Sequence, residues 1–125
     1  MLLSYLGLPG PPSAWPGGNA LVALRPVVET ARFGHVSVKL SGFYAASEPR
    51  HGYPHDARAL VDPLFDAYGP RRLLWGSDFA PALNAVSFPQ TIDVVRRLEW
   101  SPEDLGLVLG GNLVAALDRV ASTRR

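Results

Sequence analysis

The sequence predicts an α/β chain with about three parallel β-strands alternating with helices, and three observations predict it. Segments with a strand period and segments with a helical period follow one another in turn. Twelve glycines and twelve prolines separate those segments. Hydrophobic residues make up 47% of the 125 positions and charged residues only 18%, which favours one packed domain over residues 1–125 rather than a disordered chain. Strands alternating with helices form a parallel sheet with right-handed crossovers. Three such units complete neither a doubly wound sheet nor a (β/α)8 barrel, which takes ~250 residues.

Each element has its own signal. "LLSYL", Leu2 to Leu6, reads as the first strand, closed by "GLPGPP". Asn19 or Gly18 can cap the segment Ala20 to Phe33. Pro26 removes a backbone donor and crowds the preceding turn, so the helix is expected to begin near Leu24 with Pro26 in its first turn. In "VSVKL", Val36, Val38 and Leu40 fall on one face and Ser37 and Lys39 on the other, a strand by period running from Val36 to Leu40. "SGFYAASEPRHGYPH" is a long loop. Asp56 opens a helix on which Ala57, Leu60, Val61, Leu64, Phe65 and Tyr68 recur at helical spacing. Pro63 is expected to kink or restart it, with Asp62 as the new cap, and Gly69-Pro70 stops it. "RLLW" supplies the third strand, Leu73–Trp75, and "APALNAVS" is a loop.

Ser87-Phe88-Pro89-Gln90 carries a capping-box start, and Ile92, Val95 and Leu98 follow on one face. Ser101-Pro102-Glu103-Asp104 repeats the start signal. Asn112 is expected to cap a last helix carrying Leu113, Leu117 and Val120. Trp75 and Trp100 read as packing residues and Trp15 as a loop residue.

Composition narrows the partners. The net charge is +1 and the basic residues are scattered, apart from Arg71-Arg72, Arg96-Arg97 and Arg124-Arg125, which read as solvated faces or frayed ends. No electrostatic argument points to nucleic acid or an anionic membrane. The absence of cysteine excludes disulfides. No apolar run approaches the ~20 residues of a spanning helix. The start, "MLLSYLGLPGPP", is apolar but lacks a basic leader region, so it reads as structure rather than a secretion signal, and a cytoplasmic protein is expected.

The stretch "RRLLWGSDFAP", Arg71 to Pro81, carries the functional signal. An apolar strand ends abruptly in Gly76-Ser77-Asp78. In βα folds the functional groups lie where strands end and the following loops begin, so Asp78 is delivered to that edge. Gly76 lets the backbone turn sharply or approach a ligand closely. The competing reading makes Asp78 a turn residue bonding nearby backbone N–H groups. His51 and His55, in "RHGYPH", have an i, i+4 spacing, but Gly52 and Pro54 forbid a helix there. They read as solvated loop residues that overhang the site, with His51, Tyr53 or His55 available for a substrate contact.

Several of these stretches resemble one family. "WGSDFAP" is similar to the last-strand motif of the amidohydrolase-related family, close to W-G-(S/T)-D-(W/F)-P. "VSVKLSGFY" resembles its preceding strand, V-x-V-K-L-S-G-x-Y. "GPRRLLWGSDF" matches its helix-end and strand junction, and "LGGNLVAALD" resembles its terminal G-N-x-A-x-L helix. The pieces lie in order and at the right spacing from Val36 to Asp118. "LLSYLGLPGPP" looks like an earlier barrel strand, often (S/D)-H-L-G-x-P. The resemblance implies a partial (β/α)8 TIM barrel, its C-terminal portion.

It also implies chemistry. Asp78 sits where family members place the strand-end aspartate. There it binds a divalent metal (zinc or manganese) or acts as general base in metal-independent lactonase relatives. Ser41, at the end of the preceding strand, and Tyr53 and His55 are the candidate substrate contacts. Two departures weigh against a metal on this chain alone. The family's His-x-His pair is absent, and a zinc site needs three protein ligands. Tyr5 stands where relatives often have histidine, and a neutral phenol is a poor metal ligand. The expectation is a hydrolase of lactones or amides acting through activated water on a small-molecule substrate, represented by its C-terminal half. The alternative is a truncated, non-catalytic fragment or interaction module. Either way the chain is expected to form a homo-oligomer or to need a missing N-terminal half, because an open half-barrel leaves strand edges unpaired.

Overall fold

The computed structural model describes residues 1–7, 9–47 and 57–125. Three strands, β1 (Leu2–Leu3), β2 (Ser37–Leu40) and β3 (Leu73–Trp75), form one sheet in the order β1-β2-β3. Both pairings are parallel, with Leu2 opposite Ser37 and Leu40 opposite Trp75. Helices α1 (Ala20–Glu29) and α2 (Ala57–Tyr68) make the two crossovers, and α3 (Phe88–Arg96), α4 (Pro102–Gly106) and α5 (Asn112–Thr123) follow β3. This is the parallel α/β arrangement that the alternation predicts, and it fits the partial barrel that the resemblance implies.

The period-2 pattern of β2 decides which face meets the helices. Val36, Val38 and Leu40 are fully buried, and so is Leu73 on β3. They pack with Leu24 and Val27 of α1, Leu60, Val61 and Leu64 of α2, and Val94 and Val95 of α3. Lys39 lies on the opposite face and is half-buried. The same alternation therefore fixes both the core and the direction in which polar groups leave the sheet.

The first strand is shorter than expected. It ends at Leu3, because Tyr5 and Leu6 adopt left-handed backbone conformations, with φ of 53° and 56°. That turn drives the Leu6 side chain into the core, where it is fully buried. The second strand starts at Ser37 rather than Val36, within the usual scatter of element ends.

The two internal prolines also behave differently from expectation. Helix α1 starts at Ala20, with the Asn19 side chain accepting the Leu21 N–H at 2.9 Å, and Pro26 lies inside it. Helix α2 runs through Pro63 without restarting at Asp62. An interior proline costs about 3 kcal/mol or more. The buried stripes on these helices, Leu24 with Val27 and Leu60 with Leu64, are what offset it. The expected opening of α2 at Asp56 lies outside the described residues.

Beyond β3, the capping box at Ser87 is present, with the Ser87 N–H donating to Gln90 Oε1 at 2.8 Å. Ser101 caps α4 by accepting the Asp104 N–H. The "APALNAVS" segment contains a short 3-10 turn, Pro81–Asn84. Asn112 does not cap the last helix. Helices α4 and α5 run on through a π-helical segment, Leu107–Gly111, and Asn112 sits within that run. Its Nδ2 donates to Pro70 O at 2.7 Å and to Leu73 O at 2.8 Å, which ties the helix to the start of β3. The run Pro102–Thr123 has the length and apolar composition of a membrane span. It nevertheless carries Glu103, Asp104, Asp118 and Arg119, and it is pinned to the sheet through Asn112.

Two further assignments change. Arg72 is not a solvated residue: its guanidinium donates to the carbonyls of Tyr68, Ala31 and Phe33, clamping the end of α2 to the turn before β2. Trp15 lies between turns as expected but is buried, with Nε1 donating to Gly10 O. Trp75 and Trp100 are packing residues: Trp75 Nε1 donates to Thr91 O, and the Trp100 ring lies 4.5 Å from that of Phe65.

Candidate active site

Three consecutive strand ends meet at one carboxylate. Asp78 follows β3 by three residues and is half-buried, with a left-handed backbone at φ 53°. The Tyr5 hydroxyl, just past β1, donates to Asp78 Oδ1 at 2.9 Å. The Tyr44 hydroxyl, in the 3-10 turn Phe43–Ala46 after β2, donates to Asp78 Oδ2 at 2.6 Å. Each oxygen of the carboxylate thus holds one phenol. An ionised carboxylate has about four acceptor positions, so room remains for further donors.

The two phenols respond to the anion. The hydrogen bond to Asp78, then burial and the carboxylate's charge, push Tyr44 up to about 12. The same hydrogen bond and charge raise Tyr5 above the usual phenol value. Both groups therefore stay protonated donors throughout the neutral range.

Glycine makes this close approach workable. Gly42 has φ +70°, and a Cβ on it would lie 2.5 Å from Tyr5 Cδ1, so no other residue fits beside the phenol ring. Gly76 has a different role from the sharp turn expected of it. It is not among the residues with positive φ, and a Cβ there would lie 2.8 Å from Lys39 Cδ. It is small because the Lys39 stem crosses it. A cavity of about 20 Å³, lined by Gly42, Tyr44, Gly76, Ser77 and Thr91, adjoins the trio. That is room for about one water. A second cavity of about 150 Å³ is lined by Tyr5, Pro9, Gly10, Gly42 and Ala46.

The other candidates fare unevenly. Ser41 is fully buried at the end of β2, and its Oγ has no hydrogen-bond partner among the described residues. Tyr53 and His55, with His51, lie outside the described residues. Tyr5 and Tyr44 were not among the candidates. Tyr44 had a legible signal, since it is the tyrosine that ends "VSVKLSGFY". Tyr5 stood out only as a replacement for histidine.

Three parallel strands with a carboxylate at their C-terminal ends have the layout of part of a βα barrel. The amidohydrolase family model matches residues 6–118, and the chain belongs to that family. An L-fucono-1,5-lactonase from Burkholderia multivorans is 36% identical over 81 residues, which cover 62% of this chain and 27% of the lactonase. A crystal structure of an amidohydrolase from the same organism, with bound zinc, superposes with a TM-score of 0.79 at 26% identity, covering 91% of this chain and 42% of that one. A putative 2-pyrone-4,6-dicarboxylic acid hydrolase from Pseudomonas putida shares the fold, with a TM-score of 0.70 at 24% identity. The chain therefore spans less than half the length of these relatives.

Zinc does not fit the groups gathered here. Zinc sites draw on histidine, cysteine and carboxylate ligands, three or four at a time. Among the described residues no three such side chains come together, and Asp78 is flanked by two phenols that donate to it.

Proposed function

We propose that this chain is the strand-end portion of a lactonase-like hydrolase in which Asp78 is the general base. The observation that carries the reading is the Asp78 carboxylate, standing at the C-terminal end of β3 with a phenol on each oxygen. In this reading Asp78 takes a proton from a water as that water adds to the carbonyl carbon of a lactone. The tetrahedral oxyanion then collapses, the ring C–O bond breaks, and the proton returns from Asp78 to the departing alkoxide, leaving a hydroxy acid. Tyr5 and Tyr44 hold the carboxylate in one orientation, and the water-sized cavity beside Tyr44 and Ser77 supports a place for the nucleophile. Ser41, Tyr53 and His55 are proposed substrate contacts. A base works only on a water and carbonyl held in productive geometry, a contribution of up to ~7–11 kcal/mol. In the relatives much of the barrel that would supply such groups lies beyond the part this chain matches, so the chain by itself is expected to be nearly inactive.

The test joins the chain, through Met1, to the portion of the Burkholderia multivorans lactonase barrel that it does not match. Lactone hydrolysis should appear in the fusion. Asp78→Asn should lower kcat/KM by about a hundredfold to ten-thousandfold, the usual contribution of general acid–base catalysis. Equal activity with asparagine at this position would make Asp78 a turn residue and end the proposal.

A further inference from the structure

Helix α1 carries more apolar surface than the core uses. Leu24 and Val27 are buried against the sheet and α2. Leu21, Arg25 and Val28 recur at i, i+4 and i+7 and form a second face beside that one. On α2, Pro63, Asp66 and Ala67 recur at i, i+3 and i+4. These two sets line an open groove of about 670 Å³ between the helices. Pro63 and Ala67 are short side chains that leave it open, and Leu21 stays 60% exposed. Arg25 gives the α1 wall a positive charge and Asp66 gives the α2 wall a negative one, and both are exposed.

Helix α5 presents a surface of the same length and complementary charge. Leu113, Leu117 and Val120 recur at i, i+4 and i+7 and are each more than half exposed. Leu21 to Val28 and Leu113 to Val120 therefore both run about 10 Å along their helices. Asp118 lies one turn beyond Val114, at the edge of the stripe and between Leu117 and Val120 in sequence. Arg25 has the matching place in the groove face, between Leu21 and Val28. Helix α5 also carries Arg119, the sign that Asp66 calls for. An apolar helix face edged by charge and an apolar groove of opposite charge are the two halves of helix-in-groove recognition. Within one chain the two surfaces do not meet, since both stay exposed. The net charge of +1 leaves little overall repulsion between copies.

We infer that α5 of one copy docks in the α1–α2 groove of a second copy, with Leu113, Leu117 and Val120 against Leu21, Val28 and Ala67, and with Asp118 beside Arg25. The two patches differ, so the contact is heterologous, and copies add head to tail until a ring closes. Neither surface includes Tyr5, Tyr44 or Asp78, so the inference stands apart from the hydrolase reading.

The chain contains no cysteine, which makes a cross-link unambiguous. Copies with Leu21→Cys are mixed with mass-tagged copies with Leu117→Cys and mildly oxidised; both positions are exposed, so neither change opens the core. The mixed disulfide should form about tenfold or more faster than either like pair, because docking raises the effective concentration of the two thiols. Arg25→Glu alone and Asp118→Lys alone should each weaken self-association, read by sedimentation, by about twofold to tenfold, and the two together should restore it. Equally fast cross-linking in Leu117→Cys copies alone would mean that α5 meets α5, and would overturn the inference. A double charge variant no tighter than the single ones would overturn it as well. So would association without a mixed cross-link, which would assign the contact to the outer edges of β1 and β3, or a monomer at every concentration.

Discussion

Tyr5 and Asp78 lie 73 residues apart, both hold left-handed backbones, and the hydroxyl of one donates to the carboxylate of the other at 2.9 Å. Left-handed conformations are uncommon outside glycine and are disfavoured for a bulky residue such as tyrosine. Here two of them are locked face to face by one hydrogen bond, and Tyr44 closes the other side of the same carboxylate. Backbone strain of this kind persists where surrounding structure over-determines it, often at functional sites. The relationship joins β1 to β3 across β2, so it is the tertiary contact that assembles the three strand ends into one site.

Removing the phenols one at a time separates orientation from basicity. In the lactonase fusion, Tyr44→Phe should lower kcat by about tenfold to a hundredfold, since hydrogen bonds to charged groups are worth about 1.5–3 kcal/mol. Tyr5→Phe should have a smaller effect, because Tyr5 is more exposed and its bond is longer. KM should change little in either case. An unchanged kcat in Tyr44→Phe would mean that the carboxylate is oriented without it.

The raised phenols predict a pH response with a definite sign. A folded-state value above the unfolded one means that the folded chain holds the proton more tightly. The resulting stabilisation is fully present below the ordinary phenol value of ~10 and is lost as pH rises from there through about 12, the value for Tyr44. Tyrosinate absorbance should therefore show Tyr44 ionising later than an ordinary phenol, with Tyr5 also delayed. Asp78→Asn should bring both back toward ordinary titration, since the hydrogen bond to Asp78 is the largest cause in each. Late ionisation that persists in Asp78→Asn would assign the effect to burial instead.

What was legible in the sequence follows from range. The strand "VSVKL", the capping box at Ser87 and the position of Asp78 depend on neighbours a few residues away, and period or turn chemistry reveals them. The early end of β1 depends on contacts of Tyr5 and Leu6 with groups far along the chain. Asn112 resembles a cap, yet its partners are the carbonyls of Pro70 and Leu73, which no local pattern points to. Pro26 and Pro63 look like helix breaks because the buried faces that tolerate them form only in the tertiary structure. Lys39 could be assigned to a face by alternation, but its relation to Gly76 and Tyr5 required the packing of three strands.

Asn112 should be a stability residue rather than a functional one. Its amide serves two carbonyls at the entrance to β3, and truncation leaves both without that donor. Asn112→Ala should destabilise the chain by about 1–3 kcal/mol, read as a lowered midpoint in urea with an unchanged slope. Asn112→Asp should be at least as damaging, because a carboxylate cannot donate to a carbonyl. A melt identical to that of the parent chain would show that water replaces the amide at no cost.

The last expectation concerns assembly. Leu113, Val114, Leu117 and Val120 on α5 are each more than half exposed, at 53%, 59%, 60% and 51%. Leu113, Leu117 and Val120 recur at helical spacing, so they form one apolar stripe rather than scattered side chains. The outer edge of β1 and that of β3 are also unpaired within this sheet. Exposed stripes and open edges both drive association. The 125-residue chain should therefore sediment as a dimer or larger species, with a mass that rises with concentration. Leu113→Gln combined with Leu117→Gln should shift it toward monomer, with a melting midpoint that no longer rises with concentration, because both side chains are exposed in the chain itself and are covered only on association. The lactonase fusion should remain monomeric under the same conditions if the added barrel portion covers that stripe. A sharp monomer of the parent chain at every concentration, with a cooperative melt, would show that three strands and their helices form a self-sufficient unit.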